Sequence, residues 1–515
     1  MTAPAETRVV FDDFSGGDWG TLGPFAARPG MVSASNMMLF NDRSIGPRPG
    51  LKRHSMSGIA GTLRSLYYIG YPGSPARVLL AVAGSGGGAG KTIYYSDDDG
   101  GSTITWTALG TTLSAAATEW CPVDFYDPNG YVYLSNPADK TYKIDWPTGA
   151  VTSFQVAGSD RGLRTLRLYR DRLYVTDDQT SPAASNPAHR VYYSDAGAFD
   201  TIGATNFFDI GYFWEVGAAE PVNNALYFMQ RQQGWWALVG GSPLTGSLRH
   251  VRNDGTYIDA AAKQRAVINE NGKLWFWTHG DRLASTNGAT FDVDSYSHLI
   301  LSGTKQGQYF DGYRHSLFMS AAGNLGLLNA EGAWFRQAFG VTLTGEVCNT
   351  EFKDRALLAN GTSYLYSLDF ALDRPGFASD TNAQPGDNST TPNTCTLDLP
   401  AIPGSKGREV RVRQVIVDVV KWNTGAAVDN ALALEARTYL RYNPVTSNRD
   451  DYATETQTWT EPGSYGSTTG QRDRIIFNLG AEGHGGAVQV VFTAVKGLTI
   501  RSVEVVVEQA DRPLR

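Results

Sequence analysis

Cysteine is scarce: Cys121, Cys348 and Cys395 are the three in 515 residues, widely spaced and odd in number. That excludes a disulfide framework and a zinc knuckle and leaves buried free thiols. Long apolar runs are missing as well. No stretch reaches the roughly 18 residues that a membrane helix needs, and Met1 to Arg8 holds no apolar core of the kind a secretory signal requires. The expectation is a soluble, unprocessed chain without a membrane-spanning segment. Charge is sparse, at 18% of residues with a net of -7. This argues against a nucleic-acid-binding domain that grips phosphate, although it suits a surface that DNA passes without sticking. No segment reads as a long amphipathic helix. What the chain does have is 57 Gly, 25 Tyr, 22 Phe and 12 Trp, a composition suited to many short strands punctuated by turns. The length is too great for one compact core.

One device recurs: an apolar strand, a tight polar turn, then a strand rich in Tyr, Leu and Val. The turns fall at Pro72-Gly73-Ser74, Asp127 to Gly130, Arg170-Asp171, Asn223-Asn224, Asn271-Gly272, Asp311 to Arg314, and Lys353-Asp354-Arg355. Their spacing, about 40 to about 56 residues, is near that of β-propeller blades. Tyr94-Tyr95-Ser96-Asp97 recurs as Tyr192-Tyr193-Ser194-Asp195, at the offset that separates the turns near 73 and 171. Both tetrads are therefore expected on the same strand of equivalent blades. A blade cannot bury its apolar faces alone, so a closed ring of about seven is expected, with six or eight left open.

Residues 1–55 carry short apolar pieces, Val9-Val10-Phe11 and Met37 to Phe40, among Gly and Pro. Such a segment makes no core of its own and reads as an arm that pairs on another domain or another subunit. Residues 56–371 hold the propeller. Residues 372–404, poor in apolar residues and rich in turn formers, read as a linker or surface loop. Residues 405–515 show strict alternation, as in Leu432-x-Leu434, Ile475-x-Phe477, Val488-x-Val490 and Val503-x-Val505-x-Val507, which predicts an antiparallel sandwich or jelly roll. Val410 and Val412 differ in parity from Val415, Val417 and Val419, so a β-bulge is expected near Arg413-Gln414.

Chemistry-bearing residues are present without a spacing that singles any out. Ser96-Asp97-Asp98-Asp99-Gly100-Gly101 followed by Trp106 is similar to the Asp box of sialidases, with a wider gap before the Trp; it reads as a plain hairpin. Glu215, Glu270, Glu331, Glu346, Glu351, Arg164, Arg167 and Arg172 are candidates for a hydrolytic cluster, against the simpler reading of surface and cross-strand pairs. The seven histidines lack metal-ligand spacing. Gly84 to Gly90 with Lys91-Thr92 is followed by a strand pattern rather than the helix a phosphate loop needs. Trp235-Trp236, Trp275-Phe276-Trp277 and Tyr364-Leu365-Tyr366 could stack on sugars, but fit better as filling between twisted sheets. No catalytic, metal or cofactor-binding residue is assigned, no cofactor is expected, and the chain is read as a non-enzyme.

The arm motifs Phe14-Ser15-Gly16-Gly17, Ala26 to Val32, Ala34-Ser35-Asn36-Met37 and Gly46-Pro47-Arg48-Pro49-Gly50 resemble the N-terminus of tail proteins of tailed bacteriophages. Arg170 to Val175, then Arg190 to Asp195, resemble the mid-propeller segment of the same group. The order of arm, propeller and C-terminal β domain is similar to that of nozzle proteins and propeller-bearing minor tail proteins. The resemblance implies a virion component of the tail, made in the host cytoplasm and assembled as a ring, six copies for a nozzle or three for a tip. It also implies neighbouring tail proteins as partners, passage of genomic DNA without sequence-specific binding, and attachment to a host, where a cell-surface glycan is a candidate. Phe11, Phe14, Met37, Leu39, Phe40 and Arg48 are the residues expected to join subunits through the arm. The reading from another class is a carbohydrate-active propeller, a glycosidase or a lectin, with an appended binding domain.

Overall fold

The structure is a computed structural model. It describes residues 6–14, 33–35, 37–40, 43–47, 51–70, 77–84, 91–97, 103–113, 121–123, 131–135, 139–145, 148–177, 187, 189–211, 216–230, 234–240, 243, 246–252, 267–270, 272–277, 283–292, 305–310, 315–320, 325–329, 334–337, 349–352, 355–359, 364–369, 395–400, 402–403, 408–421, 431–439, 452–460, 471–480, 482–483, 485–494 and 498–513. The chain is all-β: among the described residues every regular element is a strand.

Four-stranded antiparallel meanders recur through 62–369 and give this region β-propeller character. One runs Leu163–Tyr169, Arg172–Asp177, Arg190–Tyr193, Phe207–Asp209, and the next runs Val216–Val222, Ala225–Gln230, Gly234–Val239, Ser247–Arg252. The expected turns join the first and second strands of these meanders. Tyr169 faces Arg172 across Arg170-Asp171, and Val222 faces Ala225 across Asn223-Asn224. Asn223 and Asn224 both have positive φ, 45° and 64°, the backbone that a two-residue hairpin matched to strand twist demands and that Asn tolerates best after Gly. Tyr94 to Ser96 and Arg190–Tyr193 occupy third strands of their meanders, as the shared tetrad requires.

Apolar cores lie between consecutive meanders. Tyr169, Tyr174 and Tyr193 pack with Val216, Leu226 and Phe228 of the next unit, and Trp235 meets Phe276 edge to face at 4.5 Å. Such contacts suit flat rings in a wedge between twisted sheets. First strands pack in succession, Leu163–Tyr169 on Val216–Val222, then Val267–Glu270, Lys305–Phe310 and Asn349–Phe352, which packs on Thr62–Gly70. The last of these units is incomplete in sequence order. Its fourth strand is Leu51–Ser57, antiparallel to Tyr364–Asp369 and parallel to Thr103–Thr105. Beside it Gly58 has φ 78°, and a Cβ there would run into the Trp106 carbonyl.

Beyond 395 the strands lengthen. Arg408–Lys421 pairs with Gln471–Asn478 on one side and Leu498–Pro513 on the other, while Ala431–Tyr439, Tyr452–Thr460, Gly485–Ala494 and Cys395–Asp398 form a second sheet. One core fills the space between the two. The pairing of Arg408–Lys421 with the last strand shifts register between Val412 and Gln414. The bulge expected from parity is there, and Val410, Val412, Val415, Val417 and Val419 are all buried.

The N-terminal segment is sewn into both regions of its own chain. Glu6–Phe11 pairs with Leu498–Pro513, and the hairpin Met37–Leu39/Ile45–Pro47 lies alongside at Ile45 and Ile500. Ser33–Ser35 sits between Cys395–Asp398 and, through Ser35 and Arg336, Trp334–Gln337. The close approach at Gly46 is tight, since a Cβ would lie 2.8 Å from Thr499 Cγ2. Two segment edges differ from the sequence reading: Leu51–Ser57 runs across the expected end of the arm at 55, and Cys395–Asp398 and Ile402–Pro403 are strands within the stretch read as linker.

Candidate functional site

The arm residues come together. Phe14, Met37, Leu39 and Phe40 are buried in the core between the two C-terminal sheets, and Phe11 packs against it half-buried. Arg48 lies outside the described residues. The arm's apolar burial is thus met within a single chain, because its strands find unpaired edges on Leu498–Pro513 and Cys395–Asp398.

Of the candidate hydrolytic residues, the three arginines lie on the paired strands Leu163–Tyr169 and Arg172–Asp177. Arg167 donates from Nε and Nη2 to Glu220 Oε1 at 2.8 and 2.6 Å, and its Nη1 donates to the Leu166 carbonyl at 2.9 Å. This links the first strands of adjacent meanders, and its carboxylate was not among the sequence candidates. Arg172 Nη1 donates to the Ser194 carbonyl at 2.7 Å. Arg164 lies in the same strand as Arg167. Glu270 and Glu351 fall in strands whose side chains are outside the description, as are Glu215, Glu331 and Glu346 altogether. The tetrad segments are structural. Ser194 Oγ accepts from the Leu173 amide at 2.9 Å, and Asn206 Nδ2 donates to Asp195 Oδ1 at 2.9 Å, which holds a turn together. In the first meander Ser96 and Trp106 are buried, while 98–102 lie outside the described residues. Lys91-Thr92 begins the strand Lys91–Ser96, with no helix after it.

Several tyrosine hydroxyls are pushed upward. Burial carries Tyr142 to about 12, with Asp139, whose carboxylate accepts its hydroxyl at 3.3 Å, adding to the effect. Tyr174 is raised further by burial, and its hydroxyl has no hydrogen-bond partner. These groups hold protons rather than release them, which suits packing and not acid-base work. Among the described residues no group of three or more His, Cys, Asp or Glu side chains could hold a metal ion; Cys395 is buried and not in a disulfide.

One concave feature was not visible in the sequence. A pocket of about 730 Å³ opens where Glu6–Phe11, the turn of the Met37–Pro47 hairpin and the strands Arg408–Lys421, Gln471–Asn478 and Leu498–Pro513 meet. Arg43, Arg472, Arg474 and Arg501 line it together with Asp12, Asp418 and Asp473. Arg474 Nε donates to Asp418 Oδ1 at 2.9 Å and Ser502 Oγ to Asp418 Oδ2 at 3.1 Å. The hydrogen bond to Asp418 holds the Arg474 guanidinium above its ordinary range. The Arg-Asp-Arg alternation at 472–474 is the only local hint in the sequence; Asp12, Arg43 and Arg501 are too far apart along the chain to be grouped by spacing.

No family model matches the chain, and no curated protein matches it. Solved structures resemble parts of it. Raptor of Chaetomium thermophilum has a TM-score of 0.43 and 10% identity over 64% of this chain, and this chain spans 29% of Raptor's length. BamB of Moraxella catarrhalis, at 0.39 and 12%, is matched over 65% of this chain and 96% of its own. Virginiamycin B lyase of Staphylococcus aureus, at 0.43 and 12%, is matched over 62% and 98%. Likenesses of this strength carry no functional argument.

Proposed function

We propose that the chain is a structural component of a bacteriophage tail, a nozzle or tip protein that assembles as a symmetric ring. In this reading the meanders of 62–369 are seven blades of a closed propeller, and the C-terminal sheets are a sandwich. The observation that carries it concerns the N-terminal segment, whose motifs resemble those of tail proteins. The same segment supplies Leu51–Ser57 to the last meander and earlier strands to the C-terminal sheets. A part that must pass load without yielding gains from having its two regions tied by one piece of backbone, here through the ladders of Leu51–Ser57 with Tyr364–Asp369 and of Glu6–Phe11 with Leu498–Pro513. Arg167 and Glu220, the acid-arginine pair nearest to a catalytic look, are used up in joining meanders.

Molar mass in solution, with electron-microscope images of the purified chain alone and mixed with tail intermediates, tests this. Closed rings of six or three, or addition to the intermediates, are expected. A chain that stays monomeric, adds to no intermediate and hydrolyses aryl glycosides until a carboxylate is replaced would overturn the reading in favour of a carbohydrate-active propeller.

A further inference from the structure

The pocket beside Arg43 and Arg501 has charges that its own walls do not satisfy. Arg474 and Asp418 neutralise one another, with Ser502 completing the carboxylate. Asp12, Arg43 and Arg501 line the same space with exposed side chains, yet no ion pair joins them to one another or to any other described residue. Opposite charges that share a pocket without pairing keep their donors and acceptors open to a guest. Arg43 adds a second observation. It occupies φ 65° in the turn where the Phe40 amide donates to the Ser44 carbonyl and the Arg43 amide to the Phe40 carbonyl, both at 2.9 Å. Gly or Asn takes that conformation at lower cost, and bulky residues kept there concentrate at ligand clamps. The turn is fixed from below by Met37, Met38 and Ile45 in the core, so its guanidinium is presented from a rigid base.

We infer that this pocket binds an acidic sugar, a hydroxyl-rich ring bearing a carboxylate or a phosphate. Guanidiniums of Arg43 and Arg501 take the acid group, where planar donors match the geometry of either anion. Asp12 accepts from ring hydroxyls. The net charge of -7 and the carboxylates in the wall disfavour a nucleic acid strand, whose repeated phosphates meet repulsion beyond the first. The inference stands whether or not the chain assembles into a virion.

Calorimetric titration of the full chain at low salt with glucuronate, glucose 6-phosphate, glucose and inorganic phosphate tests it. At least one sugar acid should bind while glucose does not, and Arg43→Gln or Arg501→Gln should weaken binding about tenfold or more with the melting temperature unchanged. Arg8→Gln, which removes an ion pair to Glu504 on the same sheet outside the pocket wall, should leave binding intact. Absence of binding by both sugar acids, affinity for inorganic phosphate equal to that for the sugar acids, or full binding by both pocket variants would overturn the inference.

Discussion

Between the meanders of 62–369 the apolar side chains of one sheet are covered by the next sheet along the chain, whereas beyond 395 they are enclosed between two long sheets that share a single core. The first arrangement spreads burial over many small interfaces made of rings such as Trp235, Phe276 and Tyr133. The second concentrates it in aliphatic ladders such as Val503, Val505 and Val507. Damage should therefore stay local in one region and spread through the other. The N-terminal segment belongs to both, and it decides whether they are independent.

Removing residues 1–57 should have the largest effect. It takes the fourth strand from the last meander and Phe14, Met37 and Met38 from the C-terminal core, so both regions should lose cooperative unfolding and become sensitive to protease. Loss confined to one region would show that the other does not need the segment. Next come paired core truncations. Trp235→Ala and Phe14→Ala should each cost about 3–5 kcal/mol, read from denaturant midpoints. Hydrogen exchange should place the first loss in the sheets next to Trp235 and the second across the whole C-terminal core. Identical exchange patterns would erase the distinction.

A smaller effect is expected at the Arg167 and Glu220 link. Arg167→Met removes two donors from the carboxylate of Glu220, 8% exposed, and should destabilise by about 2–3 kcal/mol, whereas Arg167→Met with Glu220→Leu should recover much of that. A double variant no better than the single would mean that the pair does more than join two strands. The smallest effect is alkaline. An unfolded tyrosine loses its proton near pH 10, while folded Tyr142 holds its own to about 12. Below about pH 10 both states are protonated and nothing changes. Above it only the unfolded chain ionises, so stability falls as pH rises through the folded value. Tyr142→Phe should reduce the slope of denaturant midpoint against pH in that window.

Much of the meander region was legible because its signals are local. Asn223-Asn224 and Arg170-Asp171 announce two-residue turns by chemistry alone, and the Tyr-Tyr-Ser-Asp tetrad fixes strand equivalence by offset. The bulge at Val412 and Gln414 was legible for the same reason, since parity is counted within one strand. The destinations of the arm were not. Which edge Glu6–Phe11 pairs with depends on Leu498–Pro513, about five hundred residues away, and alternation says which face is buried without saying against what. Leu51–Ser57 was cut by the boundary drawn at 55 because nothing local distinguishes a strand that ends an arm from one that completes a distant sheet. The pocket arginines were invisible for a related reason: hairpin turn and sheet face meet only after the N-terminal segment has docked.

The pairing of Leu51–Ser57 with Tyr364–Asp369 also sets a schedule. The former leaves the ribosome early, and its complement is translated some three hundred residues afterwards. At about 5–20 residues per second that is a wait of roughly 15–60 s, during which an unmatched backbone edge is available to chaperones or to strangers. The last meander is then completed by a late fastening, and a nascent chain stalled before 369 would carry that clasp open.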